Sequence, residues 1–423
     1  MRDVRMRGFA ERADVEEVEH FLAGLARPLP AEFVEVMACT GRVLAEEVRS
    51  EVDVPGFARS AMDGYAVRGE DTFGASAYDP IALGLIGEAL PGRVFRGAIE
   101  PGQAVRIMTG APVPEGADAV VMAEVCSEDG ERIEVREPVA PRKNVGVPGE
   151  DVRTGDLVLS AGRRLRPQDA GVLASIGISR VACVGRPRVA LVITGDELLP
   201  PGAHPDGVQI VDSNSVVLRG LVERDGGEVL PHTILPDQVE PIRNTLSTTA
   251  AEILLVSGGS SVGLEDHAPR LVAEIGRLDF HGVAMRPSSP AGVGRLPATE
   301  GMERERLVFL LPGNPVSCLC AYEFFAGPTV RGLGGRALTW PHRRVRLPLA
   351  RKISSAVGRV DYVRVAIEND RVIPIATTGA SILSSTVRAA GVVIVERSRE
   401  GMPEDEAVEV LLYDDENPER GQS

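Results

Sequence analysis

Between residue 186 and about residue 333, short runs of consecutive apolar residues alternate with longer stretches in which apolar positions recur at helical spacing. The runs predict strands over 188–193, 228–234, 252–256, 279–285 and 307–311. The stretches predict helices over 213–224, 237–248, 267–276 and 315–326. Such alternation implies a parallel sheet covered on both faces, with ligands bound outside the carboxyl ends of its strands. Upstream, Val15, Val18, Phe21, Leu22 and Leu25 mark one face of a helix over 10–26, ended by Pro28 and Pro30. A second helix is expected over 35–48. From 51 to 150 short Val/Ile runs between Gly/Pro turns predict a β-rich domain. A helix over 167–175 follows. Residues 151–185 are expected to pack back on the N-terminal helices, making the first domain discontinuous. Residues 340–414 return to short β runs, Val345–Leu349, Tyr362–Ile367 and Val392–Val395, as in a small barrel or sandwich. The tail from 415 is polar.

The polar residues at three predicted strand ends carry the candidate chemistry. Strand 188–193 runs into Thr194-Gly195-Asp196-Glu197. Strand 252–256 empties into Ser257-Gly258-Gly259-Ser260-Ser261, followed by Asp266. Strand 307–311 runs into Pro312-Gly313-Asn314-Pro315-Val316-Ser317. A glycine loop after a strand can aim several backbone N–H groups at one oxyanion, here through Gly258, Gly259 and Ser261. Glu197 and Asp266 can hold Mg²⁺ against the same anion. Any one motif alone reads better as turns and solvated helix caps; three at successive strand ends favour a site for an anionic, nucleotide-bearing substrate. In the β-rich region Asp63-Gly64 reads as a hairpin turn, and Thr109-Gly110 and Gly149-Glu150-Asp151 as ordinary turns. Asp212-Ser213 and Asp237 read as helix caps.

Composition narrows the classes. The 423 residues allow two to four domains. A formal net charge of -15 argues against general nucleic-acid or anionic-membrane binding. The charged start Met1-Arg2-Asp3-Val4-Arg5 lacks a signal-peptide core, and no apolar run approaches a membrane span, so a cytoplasmic location is expected. The 5 cysteines, irregularly spaced, predict no disulfide framework, and Cys318 and Cys320 read as buried thiols. Only Lys143 and Lys352 stand against 44 arginines.

Ser60–Val67, Ile107–Pro114, Gly149–Asp151, Thr194–Leu198, Ser257–Asp266 and Leu311–Ser317, in this order, strongly resemble the molybdopterin molybdenumtransferases, the family of MoeA and the E domain of gephyrin. The resemblance covers about residue 10 to 413. It implies a multidomain α/β and β fold with four parts: a discontinuous N-terminal domain (1–50 and 150–185), a β-rich domain (51–149), a parallel α/β sandwich of the molybdopterin-binding type (186–335) and a C-terminal β-barrel (338–414), with 415–423 as a tail. It implies a homodimer whose active site lies between subunits. The implied reaction inserts molybdate into adenylylated molybdopterin and releases AMP, assisted by Mg²⁺.

Residue by residue, the resemblance implies Glu197 and Asp266 as magnesium-side acids, and Asp63, Asp151 and Asp237 as acids around the cleft. Thr109, Gly110, Thr194, Gly195, Asp196, Ser257, Gly258, Gly259, Ser261, Pro312, Gly313 and Asn314 fall on the substrate and phosphate side. Arg286, Ser289, Ser317, Arg359, Arg364 and either Ser381 or Ser384 fall on the molybdate side. Cations and hydroxyl or amide donors suit a tetrahedral dianion. The chain departs from the family's Lys-Pro-Gly-Lys-Pro, reading Arg286-Pro287-Ser288-Ser289-Pro290. That loses one of two expected cations, and Val145-Gly146-Val147-Pro148 stands where an arginine-rich run is usual. Two alternatives therefore stand beside the transferase: a dimeric binding or scaffold paralogue, and a variant that takes another oxyanion such as tungstate.

Overall fold

The computed structural model describes residues 12–259, 267–376 and 379–413, and the chain folds as two compact units. Of the described residues, one unit comprises those up to Glu32, Gly41–Val43 and those from Cys183 onward; the other comprises Phe33–Thr40 and Leu44–Ala182.

The first unit is built on a sheet of Glu228–Val229, Arg188–Thr194, Ile253–Ser257, Arg306–Leu311, Gly292–Leu296 and Arg277–His281, in that spatial order. The first four are parallel, and Gly292–Leu296 runs antiparallel to both of its neighbours, Arg306–Leu311 and Arg277–His281. The parallel strands read as unbroken apolar runs because both faces are covered. Val189, Leu191, Ile193, Ile253, Leu255, Leu307 and Phe309 point into one core with Val18, Leu22, Leu218 and Val222. The alternate residues Ala190, Val192, Leu254, Val256, Val308 and Leu310 point into another with Ile242, Leu246, Leu271 and Val272. The helices behind these cores are Val15–Leu25, Asn214–Asp225, Val239–Thr248 and Ala268–Ile275. Pro315–Ala321 continues through a π-helical turn, Tyr322–Ala326, into Gly327–Leu333. A second sheet joins Met285–Arg286, Val360–Glu368, Gly391–Val395, Ala407–Leu412 and Arg344–Pro348, with Arg371–Ala376 paired to Val360–Glu368. The other unit carries a six-stranded sheet that includes Gly64–Val67, Gln103–Ile107 and Ala119–Met122, and the helix Pro167–Ser175.

Three expectations change. The helix over 35–48 is replaced by a single 3-10 turn, Val36–Ala38, and then irregular chain. Gly41 turns back at φ 83°, and Val43 and Leu44 are buried by tertiary packing rather than along one helix face. The strand expected over 279–285 is two strands, Arg277–His281 and Met285–Arg286, in different sheets, and Gly292–Leu296 was not anticipated. The strand expected over 228–234 is two short ones, Glu228–Val229 and Ile234–Leu235, each paired with Arg188–Thr194, and Val15, Val18 and Leu22 of the opening helix lie in the core of the α/β unit. None of the five cysteines, all among the described residues, is in a disulfide, and Cys318 and Cys320 are buried.

Candidate functional site

The three polar strand ends lie side by side. Ile193 pairs with Ser257 and Ser257 with Leu311, so Thr194, Gly258 and Pro312 each follow at the same edge of the sheet. There a cavity of about 580 Å³ opens, lined by Thr194, Glu197, Ser257, Gly258, Gly259, Gly313 and Asn314, all anticipated from sequence. Asp237 and Ser381 line it too. Gly195, Asp196 and Pro312 flank the lining residues; the Asp196 carboxylate accepts the Asp237 backbone N–H at 3.1 Å. Ser261 and Asp266 lie outside the described residues.

The loop at Gly258 admits only glycine. Its φ is 97°, and a Cβ there would stand 2.1 Å from the carbonyl oxygen of Thr194. The close approach brings the two strand ends together around one space.

Sequence reasoning missed Asp212 and Asn214. Read as a helix cap, Asp212 does serve as one: its Oδ1 accepts the Ser215 N–H at 3.1 Å. It is also 4% exposed and lines the cavity. Asn214 lines it as well, its Nδ2 donating to Ser257 Oγ at 2.9 Å and to the Gly313 carbonyl at 2.8 Å. The chemistry left over is distinctive. Thr194 Oγ1, Asp212 Oδ2, Asn214 Oδ1 and Asp237 Oδ1 are buried oxygens without a hydrogen-bond partner among the described residues, and all four belong to cavity-lining residues. Orphaned buried polar atoms are costly, which marks this cavity as built for a polar occupant. The lining includes the carboxylates of Glu197, Asp212 and Asp237 and no Arg or Lys among the described residues. A phosphate here therefore needs a cation beside it. The neighbouring Cys318 supplies no nucleophile: burial pushes its thiol up to about 12.

The expected oxyanion residues gather in the same unit, mostly committed to partners. Arg286 pairs with Asp361, whose other carboxylate oxygen takes Arg359 Nε at 3.0 Å. Ser355 Oγ adds a third donor at 2.8 Å, and Asp361 is 1% exposed. The strand register sets this up, with Met285 beside Val360 and Arg286 beside Asp361. Arg364 is buried and donates to the Gly379 carbonyl at 3.3 Å; burial lowers its pKa. The segment that carries Ser381 is tied to the cavity wall by the Val316 N–H, which donates to the Ala380 carbonyl at 2.9 Å. Ser384 instead accepts from Arg388 at 3.3 Å and is not among the lining residues. Ser317 is buried, its carbonyl accepting the Ser288 hydroxyl. Ser289 is half-buried, its carbonyl accepting the Val283 N–H at 2.9 Å.

In the other unit Thr109-Gly110 and Gly149-Glu150 are turns as expected, but Asp63-Gly64 is no hairpin turn: Arg59–Ser60 pairs with Val145–Gly146, and Gly64 opens a strand that pairs with Gln103–Ile107 and Ala119–Met122. Asp63 accepts both the backbone N–H and the hydroxyl of Thr109, each at 2.7 Å, which holds its carboxyl below the usual range. Gly110 N–H donates to the Ser60 carbonyl at 2.8 Å, so these two motifs form one corner of the sheet. Asp151 is exposed, its N–H donating to the Val54 carbonyl at 3.0 Å.

Comparison with known proteins covers the chain almost end to end. Three family models match: the MoeA N-terminal region (domains I and II) over 13–177, the probable molybdopterin-binding domain over 190–332, and the MoeA C-terminal region (domain IV) over 346–413. A molybdopterin molybdenumtransferase from Haemophilus influenzae is 32% identical over 92% of this chain and 95% of its own. Molybdopterin molybdenumtransferase 2 from Mycobacterium tuberculosis is 33% identical over 84% of this chain and 88% of its own. Two solved structures of the molybdopterin biosynthesis MoeA protein from Pyrococcus horikoshii superpose with TM-scores of 0.78 and 0.73, at 30% and 32% identity, covering 96% and 95% of this chain and 100% of theirs.

Proposed function

We propose, from the premise that this chain belongs to the MoeA family of molybdopterin molybdenumtransferases, that it inserts molybdate into adenylylated molybdopterin and releases AMP. The observation that carries the reading is the cavity where three parallel strands end, with a glycine loop, three carboxylates and four unpartnered buried oxygens. It is large enough for a ligand of small-molecule size.

In this reading the Gly258–Gly259 turn receives a phosphate oxygen through backbone N–H groups. Glu197 and Asp237 face that phosphate, with Asp266 assigned to the same group by sequence. Their oxygens suit a hard divalent cation, and no group of three or more metal-ligating side chains converges among the described residues. One or two carboxylates completed by substrate phosphates is the usual arrangement for Mg²⁺. Bound there, Mg²⁺ would offset the carboxylate charge and polarise the phosphoanhydride. Ser381 and the buried Ser317 stand on the molybdate side. Arg286 and Arg359 supply positive charge there, held in one orientation by Asp361. Asp361 cancels about one of the two charges, so this site binds a dianion less strongly than two unpaired cations would. Asp63, Thr109 and Asp151 are assigned to the partner subunit's contribution in a homodimer.

The test is incubation of the purified protein with adenylylated molybdopterin, Mg²⁺ and molybdate. Molybdate-dependent AMP release with cofactor formation is expected. Dimers that bind the nucleotide but release no AMP would sink the transferase reading and favour the scaffold alternative.

A further inference from the structure

The four orphaned oxygens differ in what they can accept, and that difference bears on which end of the substrate lies where. Asn214 has no freedom in its amide orientation. Both Nδ2 hydrogens are used, one on the Gly313 carbonyl, which can only accept. Its Oδ1 is therefore an acceptor without a donor. Asp212 is fixed in the same way: Oδ1 is spent on the Ser215 N–H, the Asp212 N–H donates to the Leu199 carbonyl at 2.9 Å, and Oδ2 has no partner. Asp212 is 4% and Asn214 8% exposed, and both line the cavity at the start of the helix Asn214–Asp225. Two buried acceptors, one of them a carboxylate, call for two N–H donors.

Adenine offers the wrong pattern, one donor and one acceptor on its pairing edge. A 2-amino-4-oxo-pyrimidine ring offers two adjacent donors, the ring N–H and the exocyclic amine. We propose that Asp212 and Asn214 form an acceptor pair that binds the paired N–H edge of an aminopyrimidinone ring, the edge carried by the pterin of the substrate. The inference rests on the functional reading above and deepens it: the pterin end of the substrate, not its adenine, lies against the start of this helix, and the glycine loop takes the phosphate side.

The test needs neither molybdate nor turnover. The full-length protein is titrated with pterin and with lumazine, which replaces the 2-amino group by oxygen, in the absence of Mg²⁺. Wild type is expected to prefer pterin by at least about tenfold. Asp212→Asn keeps an oxygen for the Ser215 N–H and sets an amide donor where Oδ2 stands. It should weaken pterin binding roughly 30-fold, the scale of a charged hydrogen bond, and shift the preference toward lumazine. Asp212→Ser should lose the preference without reversing it. AMP binding with Mg²⁺ should be unchanged in both variants, which also shows that they are folded. The inference is overturned if wild type does not bind pterin or does not discriminate, or if Asp212→Asn binds the two ligands as wild type does or loses both equally. It is also overturned if Asp212→Asn weakens only AMP with Mg²⁺, which would make Asp212 a cation ligand. A pterin preference without AMP release would fail the transferase reading alone; AMP release with an unaltered Asp212→Asn titration would fail this inference alone.

Discussion

Gly258→Ala tests whether the cavity depends on the close approach of two strand ends. At φ 97° an alanine is strained by about 1 kcal/mol before any contact is considered. Its Cβ would lie 2.1 Å from the Thr194 carbonyl oxygen and 2.9 Å from the Thr194 hydroxyl. Carbon–oxygen contact is comfortable near about 3.3 Å, so the backbone has to part by about 1 Å. The parting falls where Ile193 pairs with Ser257 and Thr194 with Leu235, so it weakens a ladder hydrogen bond, a loss of about 1–2 kcal/mol. Together these give a destabilisation of about 2–3 kcal/mol in urea unfolding. Gly301 is the control: its φ is 80° and a Cβ there meets nothing within 4 Å, so Gly301→Ala should cost only about 1 kcal/mol. AMP binding with Mg²⁺ should fall in Gly258→Ala and hold in Gly301→Ala. Equal stability losses in the two variants, or intact AMP binding in Gly258→Ala, would refute the argument.

Three further substitutions follow from the contacts. Asp361→Asn leaves two guanidinium groups side by side without their counter-charge; with both arginines partly exposed, denaturation should show a loss of about 2 kcal/mol, partly restored by Asp361→Glu, and an unchanged midpoint would remove Asp361 from its organising role. Ser289→Lys should lower the molybdate concentration needed for half-maximal AMP release, and an unaltered requirement would place Ser289 outside the pocket. Burial holds the Glu19 carboxyl up to about 7, above its ordinary value, so the folded state keeps a proton that the unfolded state gives up. Stability should therefore decline as pH rises from about 4.5 to about 7 and level off above; Glu19→Gln should flatten that decline, gaining at most about 1 kcal/mol at pH 8 because the group is partly exposed, and a gain confined to acid pH would reverse the sign.

The α/β core was legible because burial on both sheet faces leaves a direct trace, unbroken runs such as Arg188–Thr194 and Arg306–Leu311. The strand ends were legible for the same reason: parallel neighbours place their carboxyl ends together whatever the loops contain. Pattern failed where tertiary contact decides. Residues 35–48 have enough apolar positions for a helix, yet Val43 and Leu44 are buried by distant parts of the chain and Gly41 reverses it. Gly292–Leu296 was hidden because Gly292 and Gly294 break the expected strand composition; they are required where Phe280 and Arg277 carbonyls come within 3.0 and 2.6 Å of a would-be Cβ.

The site divides along the same line. Residue type alone marks a carboxylate or a glycine loop, but not which of its oxygens is already spent. Asp212 reads as a cap and is one, through Oδ1; its functional claim lies in Oδ2, which only the folded surroundings leave without a donor. Arg286 is the converse. As a lone cation it would be the replacement for the family's first lysine, but the strand register sets it beside Asp361, and its charge is shared before any anion arrives. A lysine at 286 would present a compact ammonium with three rotatable donors, whereas the planar guanidinium suits a fixed carboxylate partner. Arginine at this position is thus held in one orientation, with part of its charge offset by Asp361. Ser288 adds to the difference: it holds φ 83° where the family has glycine, with its hydroxyl on the Ser317 carbonyl. That hydrogen bond ties the Arg286 turn to the helix that bears Ser317. In the proposed reading these contacts make the oxyanion side more rigid and less positive than a two-lysine site, and the Ser289→Lys response is the measurement that tests it.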